Sequence, residues 1–227
     1  SGLAWHKGTN DLTLNPELEA YIPLYSQRVG MHLSLIPLEY YQTDTLTRDL
    51  RRARGISGEG LAAGDLYIGT RIQLVYAQGH LPDISLSINL KTASGSKLSD
   101  ARFTDTPGYY FVLAFGKSWD TGKDHWRVFA NTGFYVWQTF GDRHYQNDAI
   151  LYGVGFQYER FGWQLTQDLS GYSGYIGGGD KPAVYRINLG KMRKRKTDFF
   201  VGWQKGLRDY PFSTWRFGLV YKGSDKT

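Results

Sequence analysis

The chain predicts an all-β fold: a single antiparallel up-and-down transmembrane β-barrel of about twelve strands, ten at the fewest, filling residues 1–227 as one domain. Three observations predict it. Apolar residues recur at every second position in segments spread from end to end. The links between those segments alternate short and long, and the strand glycines keep to the polar parity. Alternation with a period of two gives a strand one apolar and one polar face. The 28 Gly, 17 Tyr, 12 Phe and 7 Trp of this 227-residue chain suit closed β structure better than helices.

The segment "DISLSINLK" shows the pattern most plainly, with Ile84, Leu86, Ile88 and Leu90 alternating with Ser85, Ser87, Asn89 and Lys91. From the N-terminus, "LAWHK" is the weakest strand and "LTLNPELEAYIPL" the first long one. In the latter Pro16 shares the parity of Leu12, Leu14, Leu18, Ala20, Ile22 and Leu24, which predicts an edge or a bulge. "GMHLSL", "DLYIGTRIQLVY" and "DISLSINLK" follow, then "GYYFVLAFGKSW", "HWRVFANTGFYVWQT", "AILYGVGFQYE" and "FGWQLTQDL". "AVYRINLGK", "DFFVGWQKG" and "TWRFGLVYK" complete the series. Short links fall after Leu24, Ala77, Trp119, Glu159 and Met192; long ones are expected over 43–64, 95–107, 140–148, 170–181 and 207–213. Bacterial membrane barrels have short periplasmic turns and longer extracellular loops. That ordering, with both ends of the chain on the short-turn side, requires an even strand number and so favours twelve.

Glycine decides which face is inside. Gly30, Gly69, Gly116, Gly133, Gly153, Gly155, Gly190, Gly202 and Gly218 all share the parity of the polar residues. Glycine weakens a strand and is kept where a barrel bends or neighbouring groups approach closely, which suits a crowded concave side. The apolar parity carries Ile68, Phe111, Val128, Val154, Leu189 and Phe217 in mid-strand, with Trp126, Tyr158, Trp163, Tyr185, Trp203, Trp215 and Tyr221 toward the ends. Apolar middles with aromatic borders describe a lipid-facing band between interfacial girdles.

On these segments the chain resembles the outer-membrane β-barrel proteins of Gram-negative bacteria, along nearly its whole length and at the level of architecture. The resemblance implies a bacterial outer-membrane location, with membrane lipid and lipopolysaccharide as partners, and a monomer.

Composition narrows the function. No run of about 18 apolar residues exists, so no transmembrane helix is expected. Without cysteine there are no disulfides and no thiolate metal sites. No cationic segment followed by an apolar core opens the sequence, so any export signal is expected to have been removed. The net charge of +6 is scattered through strands and turns, unlike a nucleic-acid binder. Its two clusters, Arg48, Arg51, Arg52 and Arg54, and "KMRKRK" at 191–196, read as solvated turns or as contacts to lipid phosphates. Neither a P-loop, a dinucleotide fingerprint nor HExxH occurs, and neither a cofactor nor a metal is expected.

The polar parity places Arg71, Lys91, Arg127, Asn131, Gln157, Glu159, Asp168, Arg186, Gln204 and Arg216 on the lumen, a basic excess. A water-filled lumen of that sign favours anions. A dry one would make the same groups an ion-pair network closing the barrel. The leading expectation is a channel for small polar, including anionic, solutes. The alternative is a lipid-modifying hydrolase: His32 and Ser34 lie two apart on one strand, a spacing similar to that in outer-membrane phospholipases and lipid A deacylases. A soluble ligand-binding barrel is third. His125, His144 and Asp148 are expected in turns or loops, and the glycine- and tyrosine-rich 171–182 in a loop that is free, binds a saccharide or folds into the barrel mouth.

Overall fold

A computed structural model describes residues 1–24, 28–51, 53–55, 58–103, 106–141, 144–174, 179–192 and 196–223, with the side chains of 50, 139–141 and 144–147 left out of the description. Its strands are β1 (Gly2–Gly8), β2 (Asp11–Pro23), β3 (Val29–Leu35), β4 (Glu39–Thr43), β5 (Glu59–Ala62), β6 (Tyr67–Val75) and β7 (Asp83–Lys91). After these come β8 (Gly108–Thr121), β9 (Asp124–Gly141), β10 (His144–Arg160), β11 (Trp163–Gly174), β12 (Ala183–Lys191), β13 (Thr197–Arg208) and β14 (Ser213–Tyr221). Among the described residues one short helix, α1 (Thr45–Leu50), and a single 3-10 turn at Leu98–Asp100 accompany them.

Neighbouring strands pair antiparallel around the sheet, and β14 pairs with β1 from Gly2↔Gly218 to Lys7↔Ser213. The sheet is therefore a closed barrel. Fourteen strands make twelve staves because two staves are broken. The start of β2 pairs with β4 and its end with β3, so β3 and β4 are consecutive pieces of one stave. In the next stave β6 lies beside β3 and β5 beside β4. Pro37 sits in the first break, where it has no N–H for a ladder. Pro16 faces that break, in the gap between Leu14, paired with β4, and Leu18, paired with β3. The Gly64 N–H donates to the Ile36 carbonyl at 2.8 Å and ties the two breaks together.

These breaks correct the expectation of one long link over 43–64, which contains part of a stave and α1. The expected loop at 140–148 is corrected too, because β9 and β10 run on to Gly141 and His144. Both corrections share a cause. The added pieces extend staves beyond the apolar band, where no alternation of apolar residues marks a strand. The first link, Thr9–Asn10 at the long-link end, is short, with Asn10 at φ 57°. The opposite end turns tightly at Phe161 and Gly162, whose positive φ values of 52° and 71° suit a two-residue hairpin.

Burial sorts the faces. Ser85 and Asn89 are each 5% exposed, whereas Leu90, between them and the chain's next polar residue, is 55% exposed. The polar row is packed inside and the greasy row lies outside. The outward face of β8 runs from Tyr109 to Trp119, ten residues apart. That is about 33 Å along the strand and about 25 Å along the axis at a tilt near 40°, the height of a membrane band.

A lumen narrowed by an inward link

Twelve staves about 4.8 Å apart, tilted by about 40°, give a backbone radius of about 12 Å, so the inward side chains decide how much of the bore is left. The strand glycines set how those side chains lie. A methyl at Gly30 would collide with the Tyr21 ring, at Gly116 with the Arg127 guanidinium, and at Gly155 with the Phe129 ring. In each case a large inward side chain lies flat over a glycine of the adjacent stave.

Ion pairs run along the wall in the same manner. Arg127 on β9 crosses Gly116 of β8 to reach Asp83 on β7 at 2.9 Å and also donates to Ser118. Arg216 on β14 reaches Glu17 on β2 across β1 at 2.8 Å. Arg186 and Asp168, directly paired on β12 and β11, are 3.2 Å apart, and Ser170 accepts a hydrogen bond from Arg186. Lys91 meets Asp65 at 2.7 Å and donates to the Thr106 carbonyl. The basic excess expected from the sequence is thus met by Asp83, Glu17 and Asp65. Glu17 and Asp83 lie on the polar parity of their strands and were legible there, but their partners were not.

The rest of the expected lumen set lies on the same walls. Gln157 on β10 is paired with Arg127, and Glu159 with His125. Gln204 on β13 stands beside Arg186, and Asn131 on β9 has Gly153 as its neighbour. Arg71 on β6 differs from the other cations. It is exposed, and among the described residues no carboxylate pairs with it. Arg71 borders two cavities, of about 290 and 310 Å³. One is lined by Gln73, Asp83, Arg127, Phe129 and Asn131, the other by Tyr21, His32, Ser87, Asn89 and Tyr110.

His32 belongs to that second cavity, but among the described residues no hydrogen bond joins it to Ser34 and no carboxylate orients its ring. His125 lies on β9, in place of the expected turn, with Nδ1 2.7 Å from Asp120. Asp148 is on β10; the side chain of His144 lies outside the described residues, as do Arg52, 175–178 and 193–195. No cluster of three metal-ligating side chains occurs among the described residues. Of 171–182, Gly171 to Gly174 extend β11, and Gly174 N–H donates to the Asp180 carbonyl at 2.9 Å.

The loop expected over 95–107 does more, over its described residues up to Phe103. It folds back against the inner face of the broken staves. Gly95 N–H donates to Asp65 at 2.7 Å and Ser96 N–H to the Ala63 carbonyl at 2.8 Å. Tyr41 donates to Asp100 at 2.6 Å, and Arg102 donates to Glu39 at 2.7 Å, with Asp11 3.6 Å away. Arg51, just past α1, meets Asp11 at 2.5 Å. Asp44 caps α1 by accepting from the Thr47 N–H at 2.7 Å, which holds the Asp44 carboxyl below its ordinary pKa. Arg102, Glu39, Asp11, Tyr41 and Asp100 were not singled out in the sequence. Arg102 and Glu39 are 63 residues apart, and only the fold joins them.

No family model matches the chain, and no curated protein does. Solved structures do. An outer-membrane channel from Pseudomonas putida F1 superposes with a TM-score of 0.64 over 96% of this chain and 93% of that one, at 11% identity. The chain has the fold of the Gram-negative outer-membrane β-barrels. The KdgM porin in complex with disordered oligogalacturonate gives a TM-score of 0.53 at 10% identity, covering 99% of this barrel and 100% of that chain. The β domain of the Bordetella autotransporter Brka gives 0.54 at 12% identity, over 98% and 96%. At such identities the likeness is one of fold, and the barrel's chemistry rests on its own residues.

Proposed function

We propose that the chain, one domain over 1–227, is a passive channel for small polar solutes, anions among them. In this reading it stands as a monomer in the outer membrane, with its short turns in the periplasm and its long links outside. The observation that carries the proposal is Arg71: an exposed lumen cation without a carboxylate partner among the described residues, where two cavities meet. Arg127, Arg186, Arg216 and Lys91 each have a carboxylate on the wall, which leaves Arg71 as the charge a passing solute meets. A ring or point of Arg in a wetted pore favours anions. Fold neighbours that include a channel and a porin support the same reading.

Single-channel recording in planar bilayers under a salt gradient tests it. The wild-type barrel is expected to conduct with a reversal potential on the anion side, and Arg71→Glu to move that potential toward cations. A correctly folded barrel that stays silent overturns the proposal.

A further inference from the structure

The outward face at the long-link end carries a patch that the channel reading does not use. Lys7 on β1, Ser213 on β14 and Lys205 on β13 stand side by side in register. One row nearer the waist come Trp5, Trp215 and Trp203, and below them Leu3, Phe217 and Val201, paired across the same three strands. Both lysines are exposed, and Lys205 donates to the Ser213 hydroxyl at 3.1 Å. Among the described residues neither lysine pairs with a carboxylate. The lysines lie two strand spacings apart, about 10 Å, and each side chain reaches about 6 Å, so both ammonium groups can meet over Ser213.

Several cations at the opposite rim are engaged within the protein. Arg160 is 3.4 Å from Asp124, Lys222 2.5 Å from Asp198, and Lys191 donates to the Phe161 carbonyl while lying over the Trp163 ring. At the long-link rim, positive charge without a carboxylate among the described residues stands directly above three tryptophans and a band of exposed apolar side chains. That vertical order, cation then indole then hydrocarbon, matches a lipid whose headgroup carries phosphate. We infer that Lys7, Ser213 and Lys205 form a binding site for a phosphate of an outer-leaflet glycolipid of the lipid A class. The sugar rests on the Trp5, Trp215 and Trp203 row, and the acyl chains descend over Leu3, Phe217 and Val201. The inference rests on the membrane reading and its orientation, and is independent of whether the lumen conducts.

Native mass spectrometry of the detergent-solubilised barrel with added diphosphoryl lipid A tests it. The folded state of each variant is checked by heat-modifiable gel migration. At about fivefold in affinity per lysine, Lys7→Gln and Lys205→Gln each weaken retention about fivefold, and the pair about twenty-five-fold. Lys181→Gln, an exposed lysine at the same end, leaves retention unchanged. Excess inorganic phosphate is expected to leave the lipid bound. Retention by the double variant within twofold of wild type overturns the site, and stripping of lipid A by inorganic phosphate overturns the lipid assignment. Should the glutamine pair not fold, Lys7→Glu alone decides, by the same loss or its absence. A barrel that holds lipid A but passes no current leaves this site standing and removes only the channel.

Discussion

Replacing Arg102 by methionine is expected to be among the most damaging changes in this barrel that leave its lipid-facing surface intact. The Arg102 side chain is 8% exposed, with Glu39 at 5% and Asp11 at 2%. Methionine keeps most of the volume and removes the charge. Asp11 retains Arg51 at 2.5 Å, but no other cation pairs with Glu39 among the described residues. A buried carboxylate is left without its partner, a loss of about 3–5 kcal/mol. The contact of the guanidinium with the Tyr41 ring, 4.9 Å from its centroid, is lost as well and contributes about 1 kcal/mol. Glu39→Gln in the same chain removes the orphaned charge, so the double variant should recover about 2 kcal/mol. Denaturant unfolding of the vesicle-inserted barrel, followed by tryptophan fluorescence, yields the coupling energy from the four variants. Because Arg102 and Asp100 hold the segment 92–103 against the wall, the single variant should also raise the single-channel current. An Arg102→Met barrel within about 1 kcal/mol of wild type, or strict additivity in the cycle, would show that the cluster does not clamp the link.

Val154 is 56% exposed on the outward face of β10; Val154→Arg should cost about 2–4 kcal/mol in vesicle unfolding, whereas Gln157→Arg on the inward face should cost under 1 kcal/mol. Gly133→Ala drives a methyl into the Phe111 carbonyl of the adjacent strand, an overpacking of about 1–3 kcal/mol that the same assay reads as a lower unfolding midpoint. Asp44 has a lowered folded pKa, so its cap is complete above the ordinary carboxylate value and fades as pH falls through the lowered one. Amide exchange at Thr47 should accelerate across that acid window and not above it, and Asp44→Ala should show the fast rate throughout.

Much of this barrel can be read from the chain because a membrane stave is a local object: its face is set by alternation within about ten residues. The Ile84 to Leu90 row, the glycine parity and the stave number are properties of that kind. What escapes is whatever depends on register. Asp83 and Arg127 belong to strands separated by β8, and nothing in either segment says that Gly116 lies between them. The broken staves escape for a related reason: "EYYQT" at β4 has as its partner the first residues of β2, and its inward Glu39 and Tyr41 serve a polar cluster where an apolar pattern has no role. Pro16 was the one local sign, since a proline on the apolar parity of a long strand marks a place where a neighbour is missing.

The glycines and the charges belong to one device. In a twelve-stave barrel of about 12 Å backbone radius, two arginines reaching about 7 Å each toward the axis from opposite walls would span more than half of the bore. Here three large inward groups lie across a glycine of the adjacent stave, Tyr21 over Gly30, Arg127 over Gly116 and Phe129 over Gly155. Arg127, Arg186 and Arg216 are neutralised along the wall by Asp83, Asp168 and Glu17. A glycine in a strand costs stability, and its retention on the inward parity follows if the flattened side chains are what keep the bore wide. Filling one such glycine with alanine therefore does two things at once: it strains the wall, and it lifts a neighbouring side chain toward the axis. Gly155→Ala, which lifts Phe129 at the cavity that Arg71 borders, should lower single-channel current along with stability, whereas Gly122→Ala in the β8–β9 turn, where φ is +64° and no atom lies within 4 Å, should lower stability alone.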